Sequence, residues 1–165
     1  MKNLILLLFA GLLFASCGSS RHTTHKVIIG ESSTSNNAKK VSRIVDYAKS
    51  FEGTRYKFGG TDKKGMDCSG LVYTSFQYGN IDLPRVSRDM ATQGFEIKLS
   101  DTAEGDLLFF KTSKNKKTIN HVGLVVENNR GTIKFIHSTT SKGVIISSLE
   151  ENYWKNAFVE VRRMM

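Results

Sequence analysis

Length, composition and charge limit what this chain can be. It has 165 residues, of which 39% are apolar and 24% charged, which suits one compact domain and is too short for two. One proline and 14 glycines exclude a collagen-like or proline-rich chain. The net charge of +9 indicates either a solvated cationic surface or an anionic cell envelope nearby. No nucleic-acid-binding motif accompanies it, so nucleic acid is not an expected partner.

The first 17 residues have the pattern of an export signal. A positive residue, Lys2, precedes an apolar run at residues 4–14, and small residues lead to Cys17. The run is shorter than the roughly 20 residues that a membrane-spanning helix needs. The segment resembles a bacterial lipoprotein signal, although Phe14 stands where Leu is usual. We therefore expect a signal peptide at residues 1–16 and a diacylated, palmitate-bearing Cys17; an ordinary secretory signal is the alternative.

The chain has two cysteines, Cys17 and Cys68, and a polar segment follows the first of them. Residues 17–40 are rich in Ser, Thr and Asn without a sustained period, so we predict a flexible tether after the lipidated residue. His22 and His25 lie there without further ligands, and we expect no metal site. If Cys17 carries lipid, Cys68 is the sole free thiol of an exported protein, which favours a reactive role.

Helical patterns open the predicted domain, residues 41–165. An apolar stripe at spacings of three and four residues predicts a first helix ending near Gly53, and it comprises Val41, Ile44, Val45, Ala48 and Phe51. A second helix is predicted from about Cys68 to Gly79. Asp67 is placed either to cap that helix or to take part in chemistry. The helix start should favour the Cys68 thiolate over the thiol.

Short β-rich runs follow the helices. They are separated by clusters of Asn, Gly, Ser and Lys, and they occupy residues 106–110, 121–126, 132–137, 144–146 and 158–161. Short connections favour antiparallel neighbours. Helices followed by strands predict an α+β domain, with the helices packed on a five- to six-stranded antiparallel sheet.

Two histidines on these strands complete a hypothesis of nucleophilic catalysis. His121 begins one run and His137 lies near the end of the next, with a turn at residues 128–131. If the two strands pair across that turn, both imidazoles lie at the same edge of the sheet. A cysteine nucleophile needs a base, and the base needs a polar group that orients it. Cys68, His121 and His137 can supply these roles in that order.

Several motifs resemble those of the NlpC/P60 cysteine peptidases, papain-like hydrolases of bacterial cell-wall peptides. The resemblance extends over residues 41–161 and is carried by GTRYKFGG at 53–60, GMDCSGLV at 65–72, LPRVSR at 83–88, GDLLFF at 105–110, HVG at 121–123 and FIHS at 135–138. The chain is most similar to the small single-domain lipoproteins of the Spr type. Arg55 and Met66 depart from the family pattern, where Pro and Phe are usual.

The resemblance implies a papain-like fold and a murein endopeptidase that cleaves γ-D-glutamyl-diaminopimelate or D-alanyl-diaminopimelate bonds. It makes Cys68 the nucleophile, His121 the general base and His137 the orienting residue. Residues that bind substrate or stabilise the acyl intermediate would be Tyr56, Ser69 and Arg88; a surface ion pair is the alternative for Arg88.

No cofactor is expected. The expected partners are peptidoglycan peptides and, through the lipid, the outer membrane on its periplasmic side, with the protein a monomer. An amidase or acyltransferase acting on another amide or on lipids, and an inactive wall-binding module, are the alternatives.

Overall fold

The structure is a computed structural model that describes residues 29–113, 115 and 117–165. Three predictions lie outside the described residues: the signal peptide at residues 1–16, the lipidation of Cys17, and the absence of a metal site at His22 and His25. Within the described part of the chain, no helix has the length and apolar character needed to cross a membrane.

Helices and strands follow one another in the predicted order, with short additional elements. The helices are α1 (Ile29–Lys49), α2 (Cys68–Tyr78), α3 (Ser87–Met90), α4 (Asn152–Ala157) and a 3-10 turn at Leu99–Asp101. The strands are β1 (Thr61–Asp62), β2 (Gly65–Met66), β3 (Phe95–Ile97), β4 (Leu107–Phe110), β5 (His121–Asn129), β6 (Thr132–Thr139), β7 (Gly143–Ser148) and β8 (Phe158–Arg163). The sequence did not predict α3, α4, β1, β2 or β3, which are too short to show a period.

A six-stranded antiparallel sheet in the order β3-β8-β4-β5-β6-β7 forms the centre of the fold. This confirms the predicted α+β class. Strands β5 and β6 form a hairpin in which Asn129 pairs with Thr132. The two residues between them, Arg130 and Gly131, have φ angles of 51° and 95°, as a type I′ turn requires. The tight turn sets the register that brings the start of β5 beside the end of β6.

Alternate residues of the strands feed two separate apolar clusters, one on each face of the sheet. Leu107 and Phe109 join the cluster formed with α1 and α2. Leu108 and Phe110 join the cluster on the other face, to which α4 contributes Trp154 and Ala157. The predicted N-terminal helices therefore cover one face, and the unpredicted α4 covers part of the other.

The prediction of a tether up to residue 40 is wrong in part, because α1 already begins at Ile29. Residues 35–39 are exposed, whereas Ile44 and Val45 are fully buried. Neither Gly nor Pro occurs between Glu31 and Glu52, so nothing in the covalent chain stops the packed half of the helix from continuing outward. The apolar stripe therefore marks where α1 meets the core and not where it starts.

Candidate active site

The start of α2 is held by the carboxylate of Asp67. This residue is the N-cap, as the sequence allowed, and it accepts hydrogen bonds from the backbone N–H of Gly70 and of Gly59, each at 2.7 Å. A Cβ atom on Gly70 would collide with the carbonyl oxygen of Gly60. The absence of a side chain on Gly70 thus lets the preceding loop lie directly against the helix start, where Cys68 is the first helical residue.

A guanidinium from another part of the chain completes this helix start. Arg85 donates to both carboxylate oxygens of Asp67, at 3.0 and 2.9 Å, and to the hydroxyl oxygen of Ser69 at 2.8 Å. Burial alone would raise the pKa of Asp67, but the hydrogen bonds from Arg85, Gly70 and Gly59 lower it. The carboxylate therefore stays ionised, and the Arg85 guanidinium holds both residues that flank Cys68, Asp67 and Ser69.

The two predicted histidines meet at the end of the sheet where β5 begins and β6 finishes. Nε2 of His121 lies 3.0 Å from Nδ1 of His137, and Nε2 of His137 lies 3.0 Å from the hydroxyl oxygen of Ser147. The indole of Trp154 stacks on His121 with ring centroids 5.2 Å apart. It also meets the edge of His137 at 4.5 Å. The hypothesis that the hairpin brings both imidazoles together is confirmed in its geometry.

Burial controls the protonation of this histidine pair. It lowers the pKa of His121 to about 4. Burial, together with the neighbouring His121, lowers the pKa of His137 to about 3. Both imidazoles are therefore neutral at pH 7, and each ring has one nitrogen free to accept a proton or a hydrogen bond.

Cys68 and His121 line the same cavity, which has a volume of about 460 Å³. Its other walls come from the loop before β5, the turn between β6 and β7, and the start of α4. They carry mainly hydroxyl, amide and charged groups, namely Thr112, Asn120, Ser138, Thr139, Thr140, Ser141, Lys142, Ser147, Glu151 and Tyr153. Such a lining offers many hydrogen-bond partners to a polar chain.

The backbone N–H groups at the helix start favour the Cys68 thiolate, as expected, but they do not decide the pKa of the thiol. Burial raises the pKa of this thiol above its usual value, and the nearby carboxylate of Asp67 adds to the rise. The backbone N–H groups of Val122, Ser69 and Cys68 act in the opposite direction but do not compensate. Desolvation therefore outweighs the helix terminus, and the free thiol of Cys68 is protonated at neutral pH.

Of the other predicted site residues, only Tyr56 lines the cavity. Tyr56 lines the cavity with Cys68, and its raised pKa, caused by burial and then by Asp67 and Cys68, keeps the phenol protonated. Ser69 is buried and bound to Arg85 instead of lining the cavity. Arg88 points into solvent and forms a surface ion pair with Asp89, because α3 buries Ser87 and Met90 and leaves Arg88 outside.

Sequence reasoning missed Arg85, Ser147 and Trp154. Arg85 lies in the motif LPRVSR, three residues before Arg88, and the motif alone does not distinguish the two side chains. Within the described residues, no group of three or more His, Cys, Asp or Glu side chains is arranged to bind a metal ion.

A helix-borne thiol that shares a cavity with a strand-borne imidazole is the combination of groups that cysteine hydrolases use. Comparison with known proteins agrees with this class: the NlpC/P60 family matches residues 53–163. The chain belongs to the NlpC/P60 family.

Relatives with described activities are similar over most of the domain. The chain is 40% identical over 126 residues to "Murein DD-endopeptidase MepS/Murein LD-carboxypeptidase" of Escherichia coli K12, covering 75% of this chain and 63% of that protein. It is 35% identical over 160 residues to "Probable endopeptidase NlpC" of the same strain, covering 96% of this chain and 97% of that one. The chain thus spans less than two thirds of the first relative and nearly all of the second.

Solved structures agree with the fold. A Staphylococcus aureus protein described as similar to a lipoprotein of the NLP/P60 family matches with a TM-score of 0.67 and 32% identity, over 77% of this chain and 42% of that one. The NlpC/p60 domain of the peptidoglycan hydrolase SagA matches with a TM-score of 0.62 and 25% identity, over 75% of this chain and 98% of that one.

The Asp67–Arg85 ion pair predicts different effects for two arginines of one segment. Arg85→Leu leaves the largely buried Asp67 carboxylate without its cation, so the free energy of unfolding should fall by about 2 kcal/mol. Arg88→Leu removes only an exposed ion pair and should change stability by less than about 0.5 kcal/mol. Urea denaturation of both variants and the wild type measures the difference. Equal effects would contradict the role given to Arg85.

Proposed function

We propose that this protein is a cysteine endopeptidase that hydrolyses peptidoglycan peptides, with Cys68 as nucleophile and His121 as general base. The observation that carries the proposal is that Cys68 and His121 line one cavity. In addition, Nδ1 of His137 lies 3.0 Å from Nε2 of His121. Family membership supports it, since relatives in the family are described as murein and γ-glutamyl peptidases.

The proposed chemistry starts from a neutral pair. Nε2 of His121 is engaged by His137, which leaves Nδ1 to take the proton from Cys68 Sγ as the sulfur attacks the amide carbon. The Cys68 backbone N–H, at the first turn of α2, donates to the developing oxyanion. The imidazolium of His121 then protonates the leaving amine, and a thioester with Cys68 remains. Water, deprotonated by the same imidazole, hydrolyses the thioester and restores the thiol.

The cavity lining supports a peptide substrate. Lys142 and Glu151 both line the cavity with opposite charges, and together they suit a substrate that carries carboxylate and ammonium groups. Peptidoglycan stem peptides with diaminopimelate have both groups. We propose cleavage at a γ-D-glutamyl-diaminopimelate or D-alanyl-diaminopimelate bond, with Tyr56 assisting at the acyl intermediate.

We also propose that the protein is a monomer anchored to the bacterial outer membrane, facing the periplasm, through lipid on Cys17 after removal of a signal peptide at residues 1–16. The pattern of a positive residue, an apolar run and small residues before Cys17 supports this anchor. Two acyl chains are sufficient for stable membrane attachment of a folded domain.

The peptidase proposal predicts that Cys68→Ala loses hydrolysis of purified muropeptides by about a thousandfold or more while remaining folded. Release of products is followed by chromatography and mass spectrometry, with the urea denaturation midpoint as the control for folding. His121→Ala should lose nearly as much, because no other imidazole is placed at the thiol's cavity in the described chain. Muropeptide turnover by a folded Cys68→Ala protein would contradict the proposal, and turnover of lipid amides alone would favour an amidase or acyltransferase.

The anchor predicts that protein isolated from a bacterial host carries acyl chains on Cys17, seen as added mass on its N-terminal peptide. Cys17→Ser should remove this mass and release the protein from the membrane fraction. The matched variant Cys68→Ala should keep both the mass and the attachment. An unmodified Cys17, or a disulfide between Cys17 and Cys68, would contradict the anchor.

A further inference from the structure

The hydroxyl of Ser147 ends a chain of hydrogen bonds that begins at His121. On β6 and β7, Phe135 pairs with Ser147 and His137 pairs with Ile145. Side chains two residues apart on a strand share a face, so Ser147 lies diagonally across from His137. The hydroxyl oxygen of Ser147 is 3.0 Å from Nε2 of His137. Ser147 also lines the cavity that Cys68 lines.

The two neutral imidazoles can share their protons in two ways. In the first, His121 carries its proton on Nε2 and donates to Nδ1 of His137, so His137 must carry its own proton on Nε2. In the second, His137 carries its proton on Nδ1 and donates to Nε2 of His121, so His121 must carry its proton on Nδ1. Only the first arrangement leaves Nδ1 of His121 free to take the proton from Cys68.

The productive arrangement needs an acceptor beyond His137. The Nε2–H of His137 then points toward Ser147, whose oxygen accepts it. The ring neighbours of His137 besides His121 are aromatic, with Phe135 at 4.7 Å and Trp154 at 4.5 Å between centroids. His137 is fully buried. With an apolar group in place of the hydroxyl, the Nε2–H would lose the partner that lies 3.0 Å away, and a buried donor without a partner is costly.

We propose that Ser147 is a positioning residue which fixes the proton of His137 on Nε2 and thereby keeps Nδ1 of His121 available as the base. This inference rests on the proposed function. It adds Ser147 as a fourth member to the series Cys68, His121 and His137. Ser147 can accept from His137 because it lines the cavity, where its own hydroxyl proton can turn toward water or substrate.

The proton balance of the reaction requires the same arrangement. When His121 takes the proton of Cys68, it carries protons on both nitrogens and must donate from Nε2 to Nδ1 of His137. His137 cannot accept there unless its own proton is on Nε2, where Ser147 accepts it. No proton leaves the two rings in this step. The added proton passes from His121 to the leaving amine nitrogen, and the network returns to its starting state.

Two isosteric variants test this role. Ser147→Thr keeps the hydroxyl, whereas Ser147→Val has the same shape without it, and both side chains suit a strand. We expect Ser147→Val to lower kcat on muropeptides by about ten- to a hundredfold, the effect of leaving one buried donor unpaired, with KM nearly unchanged. Ser147→Thr should stay close to the wild-type kcat. Thermal denaturation confirms that both variants fold.

The protons themselves are observed by two-bond proton–nitrogen correlation spectra of the imidazoles, in resting protein without substrate. We expect His137 to be protonated on Nε2 in the wild type and in Ser147→Thr, and to shift toward Nδ1 protonation in Ser147→Val. A wild-type His137 protonated on Nδ1 would overturn the inference. So would equal kcat values for the valine and threonine variants. If the wild type does not hydrolyse muropeptides at all, the proposed function fails, and the spectra still decide the role of Ser147.

Discussion

Desolvation of the His121–His137 pair is the constraint on which the site depends. The rings of Phe135 and Trp154 enclose the pair, and burial lowers both pKa values to about 4 and about 3. An imidazolium is costly in such surroundings, so the two rings remain neutral and satisfy each other by a hydrogen bond. Both rings are therefore uncharged at neutral pH, and in the proposed reaction the pair passes on the proton that it takes.

The same desolvation acts on the proposed nucleophile, Cys68. The Cys68 thiol lies at a helix start with three backbone N–H groups directed at it, yet burial raises its pKa. Thiol and imidazole are consequently both uncharged at rest, and in the proposed reaction charge develops only when the sulfur attacks. The backbone N–H groups around Cys68 then face a charge that they stabilise. A protonated thiol is also a weaker target for oxidation, because the thiolate is the reactive form.

The sequence was sufficient for those features that depend on local pattern. The glycine turn between β5 and β6 predicted that His121 and His137 lie at the same end of the sheet, and the glycine-rich loop with the apolar stripe after it predicted that α2 starts near Cys68. Features that depend on burial or on distant contacts were not predictable. The protonated state of Cys68 follows from desolvation, which requires the packed structure. Arg85 reaches Asp67 across 18 positions of the chain, which no periodicity encodes.

The pH dependence of Cys68 alkylation by iodoacetamide tests the neutral resting pair most directly. In a Cys17→Ser background, which leaves Cys68 as the single cysteine, the rate should rise about tenfold per pH unit from about pH 5 to beyond about pH 8.5, the usual pKa of a cysteine. This follows because the thiolate fraction grows with pH until the raised pKa is reached. A rate that already levels off below about pH 7 would indicate a thiolate–imidazolium pair and contradict this account.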